Sequence, residues 1–226
     1  MRLTASMLCL ALSVAAHAGA LPIDQVPMYG GLDRAADPAL HAADVKLIAD
    51  TTAHFGSREK ASSAFVGNGM AYYGHDDLAA AMRRFNQAWV LDPSNPEAYW
   101  GFAVVAYDHG HACEAMKWFD KALSFGRFVV GMDADAARAV VLCAQEDKSL
   151  ADDAKAALYK RSDDLYAESL ARDPDKGYTY ASMASAQYWR GDYAQAWADV
   201  KLAEFNDGHV PPKFLALLGD KLKRPD

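Results

Sequence analysis

The chain has 226 residues, 52% hydrophobic and 23% charged, and a formal net charge of −7 from 23 basic and 30 acidic side chains. That balance belongs to a folded chain of one domain or two small ones and excludes a disordered one; fifteen glycines and nine prolines are too few for a low-complexity protein. An acidic total, with no basic cluster longer than Lys221-Leu222-Lys223-Arg224, also excludes a general nucleic-acid binder, which needs a basic face to neutralise phosphates.

Taken in chain order, Met1-Arg2 is a short positive start, and Leu3 to Ala16 is apolar except for Thr4, Ser6 and Ser13. Ala16-His17-Ala18 then offers a small-residue cleavage site. This order predicts a secretory signal peptide over residues 1–18, cut after Ala18 or, at the next small-residue site, Ala20. The apolar run is shorter than the roughly 20 residues that span a bilayer, so a permanent membrane anchor is not expected. Nor is a lipid anchor at Cys9, which follows Met7 and Leu8 where small residues would be needed. The mature chain is expected to be periplasmic or secreted and not membrane-spanning.

Residues 19–38, rich in Pro, Gly and Asp, read as loop, and residues 39–60, with Leu40, Leu47 and Ile48 at helical spacing, as a leading helix. A repeat follows. Phe65, Gly69, Ala81, Phe85 and Ala88 recur 34 residues later as Tyr99, Ala103, Ala115, Phe119 and Ala122. Pro93, Asn95 and Pro96 at the junction stop one helix, cap the next and suit its first turn. Tyr180, Ala184, Gly191-Asp192-Tyr193, Ala196 and Ala203 repeat the order near the C-terminus. Between lies one repeat with an insertion, its second helix marked by Ser162, Tyr166, Ser169 and Pro174 and its first, within Asp135 to Glu146, degenerate. The predicted units are 61–95, 96–128, 129–176 and 177–210. Pro211-Pro212 then breaks the array, and Phe214, Leu215, Leu217 and Leu218 give residues 211–226 an amphipathic capping helix.

This pattern, strong in three copies and weak in one, resembles the tetratricopeptide repeat, with its aromatic-Gly-Tyr, Ala-x3-Phe and terminal Pro signature. The resemblance implies an all-α fold, a right-handed superhelix (α-solenoid) of antiparallel helix hairpins. It further implies a concave surface, lined by the first helix of each repeat, that holds a protein or peptide. By alignment that surface takes Val66, Met70 and Tyr73 from the first repeat and Trp100, Val104, Tyr107 and Asp108 from the second. The last repeat gives Tyr178, Ala181, Ser185, Tyr188 and Trp189. It would be aromatic and weakly acidic, unlike the Lys-, Arg- and Asn-bearing grooves that grip acidic chaperone tails. The implied role is a scaffold or adaptor without catalysis of its own, metal or cofactor. Whether the leading helix caps the array or lies in the groove is open at this level.

Other chemistry is sparse. His109-Gly110-His111-Ala112-Cys113 offers metal-ligand types, but at an inter-helix turn, where alternate positions do not converge. After signal removal two cysteines remain, Cys113 and Cys143; the repeat geometry puts them at neighbouring helix ends, favouring a disulfide over two buried free thiols. There is no Gly-rich phosphate loop, Gly-x-Ser-x-Gly elbow or His-Glu-x-x-His. Asp76-Asp77, Asp152-Asp153 and Asp163-Asp164 read as helix-start or turn residues. The rival readings are a cell-envelope enzyme using Asp133 or Asp135 of the insertion, and a small-molecule or metal binder using the aromatic pocket or His109 and His111.

Overall fold

The computed structural model describes residues 21–225, so the expected signal segment and the start of the mature chain lie outside the described residues. Among the described residues are ten α-helices and no strand. They are α1 (Pro38–Phe55), α2 (Arg58–Tyr73), α3 (Leu78–Leu91), α4 (Pro96–Asp108), α5 (Ala112–Leu123), α6 (Met132–Glu146), α7 (Asp152–Arg172), α8 (Lys176–Arg190), α9 (Tyr193–Phe205) and α10 (Pro212–Lys221). The chain is therefore all-α. The starts follow from side-chain chemistry: Asp37, Ser57, Asp77, Asn95, Asp175 and Asp192 each accept from an amide two or three residues on, satisfying donors that a helix start leaves bare.

Packing is densest within the pairs α2/α3, α4/α5, α6/α7 and α8/α9, and each hairpin touches the next. Between the first two, the fully buried Phe85 ring lies on two glycines. A Cβ on Gly69 would stand 2.4 Å from it, and one on Gly101 only 2.3 Å, so neither position admits a side chain while the ring is there. A second close approach, between Gly177 and Gly208, would put a Gly177 Cβ 2.5 Å from the Gly208 backbone. It seats the α9–α10 connection on the start of α8.

The insertion has gone largely into helix. α7 has 21 residues, against 12 in α5 and 13 in α9, and an eight-residue loop, 124–131, leads into α6. This corrects one reading: Asp163 and Asp164 are mid-helix, not at a turn, and they pair with Arg190 and Lys160, each at 2.6 Å. At the C-terminus α10 covers the last hairpin, burying Leu218 fully, while the Trp197 indole donates to the Leu222 carbonyl at 2.8 Å.

At the other end the leading helix stops at Phe55, and residues 58–60, read as part of it, begin α2 instead. The segment before it is not free loop. It forms two short 3-10 turns, Ile23–Gln25 and Pro27–Gly31, against α3 and α4. Buried Asn86 clamps it, donating to the Val26 carbonyl at 2.9 Å and accepting from the Tyr29 amide at 3.0 Å. Met28 and Tyr29, both at φ 51°, hold the left-handed conformation that costs a side-chain-bearing residue energy. The segment lies over Met82, Phe102, Ala106 and His109, on the side of α4 opposite Trp100, Val104 and Tyr107.

Candidate functional site

Side-chain contacts at the two ends fix the relative direction of the first helices. In the opening turns, Asp135 of α6 accepts from the Trp100 indole of α4 at 3.0 Å, from the Tyr178 hydroxyl of α8 at 2.5 Å and from Arg138 at 2.8 Å. At the closing turns, the Tyr73 hydroxyl of α2 faces the Asp108 carboxyl of α4. Starts meet starts and ends meet ends, so these helices run side by side in one direction and share a face.

Most of the predicted groove residues are on it. Tyr73, Trp100, Tyr107 and Met70 are half-buried, and Asp108, Tyr178 and Trp189 are exposed. Ala181 and Ser185 border a hollow of about 500 Å³ between α8 and the α9–α10 connection, with Phe214 and His209 on its far wall. Three predicted residues take other places. Val66 and Val104 are buried beneath the face as core, and Tyr188 turns toward α10, its ring 5.8 Å from Phe214 and 5.7 Å from Tyr193.

The contribution of α6 escapes the sequence reading. Arg138 stands over the Tyr107 ring at 5.0 Å and also faces the Tyr107 and Tyr178 hydroxyls. Burial works against its charge, but Asp135 and the surrounding phenols outweigh this and hold its pKa above the ordinary value. Burial, and then nearby carboxylates, push Tyr73 and Tyr178 well above the usual phenol range; burial also raises Tyr107. All three are neutral hydroxyls at physiological pH. Asp108 is raised too, chiefly by burial, with the neighbouring Tyr73 hydroxyl and Arg138 opposing the shift.

The remaining sequence features fall elsewhere. Cys113 and Cys143 form a disulfide, Cα atoms 4.4 Å apart, tying the start of α5 to the end of α6. His109 lies 3.1 Å from Asp24 and His111 3.8 Å from Glu114; among the described residues no group of three or more His, Cys, Asp or Glu is placed to hold a metal. Asp133 is taken up by Arg172 at 2.7 Å. No helix among the described residues is long and apolar enough to cross a membrane. Comparison with protein-family profiles, with curated proteins and with solved structures finds no match to this chain.

Proposed function

We propose that this chain is an exported protein-interaction scaffold of tetratricopeptide type, a right-handed α-solenoid that holds a protein or peptide segment along the face shared by α2, α4, α6 and α8. The observation that carries the reading is that face: aromatic side chains from three helices, with Trp100 and Tyr178 held by hydrogen bonds to Asp135, beside a hollow of about 500 Å³. Aromatic groups held in place are the usual anchors of binding hot spots, because little freedom is lost when a partner covers them. The leading segment supports it by being clamped on the opposite side of α4, which leaves the face uncovered by that part of the chain. The disulfide and the signal-like start support export to an oxidising compartment, the periplasm or outside the cell. The engagement of Asp133 and Asp135 by Arg172, Arg138, Trp100 and Tyr178 favours this reading over catalysis in the insertion.

The test is a photo-crosslinking amino acid placed at Ser185, in the hollow, and separately at Asp152, on the exposed start of α7, each irradiated in cell-envelope extract. A discrete adduct from position 185 alone, lost on Trp189→Ala in a chain with unchanged circular dichroism, is the expected result. The same adducts from both positions, or none from 185, would overturn the proposal.

A further inference from the structure

Resting on that reading, the charges around the face say what chemistry its occupant carries. Arg138 is the one full cation among the described residues lining it, and it is already engaged by Asp135 at 2.8 Å and by the Tyr107 ring. A carboxylate arriving here would find its counter-charge taken and would still have to face Asp108. The acidic groups at the edges of the face touch no cation, although Asp175 caps α8 by accepting from the Tyr178 amide at 2.8 Å. Asp108 ends α4 and Asp76 follows the end of α2, both at the helix termini where the backbone dipoles are already negative and a cation is normally favoured. Across the face, Asp175 and Asp207 border the hollow at the start of α8. No described Lys or Arg is in ion-pair contact with any of these four carboxylates. Between the two acidic edges stands Tyr178, beside the Arg138-covered Tyr107, and at the closing end of α8 is the exposed Trp189, a ring of the kind over which a cation and its methylene stem settle.

We infer that this face docks a basic peptide segment, its Lys or Arg side chains meeting the Asp76–Asp108 and Asp175–Asp207 edges and its apolar stems crossing the rings between. The burial that holds the Asp108 carboxyl above the ordinary range, despite the opposing Arg138 charge, agrees, since an incoming ammonium or guanidinium would add counter-charge there.

The experiment is fluorescence anisotropy on the purified chain with three synthetic peptides of equal length and equal apolar content, carrying Lys, Glu or Ser at the polar positions. The Lys peptide is expected to bind at least about tenfold more tightly than the Glu peptide, and less tightly as salt is raised. Asp108→Asn is expected to weaken it about fivefold and Trp189→Ala about tenfold, while Asp152→Asn, the same charge change at an exposed site on α7, leaves it unaltered. Thermal melts followed by circular dichroism check that each variant is folded. A Glu or Ser peptide bound more tightly, and lost on Trp189→Ala, would overturn the basic preference while leaving docking at this face intact. Lys-peptide binding indifferent to Asp108→Asn and Trp189→Ala would reduce it to general attraction by an acidic protein and overturn the inference. So would the binding of no peptide, in which case the adduct at position 185 decides the docking reading separately.

Discussion

The front half of the array, α2 to α5, and the back half, α6 to α9, are held together in different ways. In front, apolar rings fill notches: Phe85, Phe102 and Phe119 are essentially inaccessible, and Phe85 occupies space that only glycine at 69 and 101 leaves free. Behind, the seam between α6–α7 and α8 is stitched by buried hydrogen bonds. Ser169 meets Thr179 at 2.8 Å, Tyr166 meets Ser182 at 3.1 Å and Ser182 donates to the Ala134 carbonyl at 3.0 Å, while within the α6–α7 pair Asp173 accepts from the Gly131 amide at 2.5 Å. Apolar packing tolerates exchange of similar volumes, whereas a buried polar seam tolerates little, because each unpaired group costs its full desolvation. The front half has a smaller polar contact of this kind, Asn95 donating to Ser62 and Ser62 to the Ala88 carbonyl; the half with the longer seam is also the half that builds the hollow.

The largest effect is expected where the front half is densest. Phe85→Ala empties a space bordered by two glycines that cannot refill it, and should cost about 4 kcal/mol in a urea titration. A loss below about 1 kcal/mol would mean that the front half does not depend on that ring. Next comes the tie between the halves. The Cys113–Cys143 bond spans 30 residues, and in the chain-entropy model its removal costs about 3–4 kcal/mol. The double variant Cys113→Ser/Cys143→Ser should lose that much and unfold in two steps as the halves separate. A single transition at an unchanged midpoint would show that packing alone joins them.

The back half is sharpened by its three-helix node. Asp135→Asn leaves the Arg138 guanidinium without its buried counter-charge and should cost about 3 kcal/mol, while Tyr178→Phe, which removes one hydroxyl, should cost about 1 kcal/mol. Equal effects from the two would place the node's worth in the tyrosine and not in the ion pair. Because the node aligns the starts of α4, α6 and α8, the Asp135 variant should also lose peptide binding at temperatures where it is still folded.

The same contrast explains what the sequence discloses. The front hairpins are legible because Phe85 and Phe119, with Gly69 and Ala103, obey one steric rule 34 residues apart, and a steric rule leaves a pattern of sizes. α6 leaves none. Eleven of its 15 residues are buried, Asp133 and Asp135 among them, so charged side chains lie on its inward sides and the pattern of apolar residues does not mark which side meets the face. Without that register Asp135 and Arg138 could not be assigned to the face, although Trp100 and Tyr178, the side chains they hold, were on it. The charge of the face was legible as weakly acidic; the engagement of its one cation was not, since that depends on a 2.8 Å contact. The clamp of Asn86 on Val26 and Tyr29 was equally hidden, for it joins residues about 60 positions apart with no periodic relation.

A small effect, confined to high pH, is the one most particular to the polar half. Asp199 of α9 is 1% exposed; one carboxylate oxygen accepts from Gln195 at 2.9 Å and the other has no partner. Burial pushes its pKa up to about 6, the Gln195 hydrogen bond opposing the shift. An unfolded aspartate titrates near 3.9, so between about pH 4 and pH 6 the folded chain holds a proton that the unfolded chain has released. Stability from this group is therefore complete below about pH 4, is lost as pH rises through 6 and stays lost above it. Asp199→Asn keeps the acceptor for Gln195 and carries no charge to bury. It should match the parent near pH 4 and exceed it by about 1–2 kcal/mol at pH 8, less than the full shift implies because the new amide nitrogen is itself unpaired. Urea titrations of both chains at pH 4, 6 and 8 isolate this residue from other carboxyls raised by burial, Asp108 and Asp133, which titrate alike in parent and variant. A difference constant with pH would mean that Asp199 is charged or neutral throughout, and that the back half carries its buried carboxylate at no pH-dependent cost.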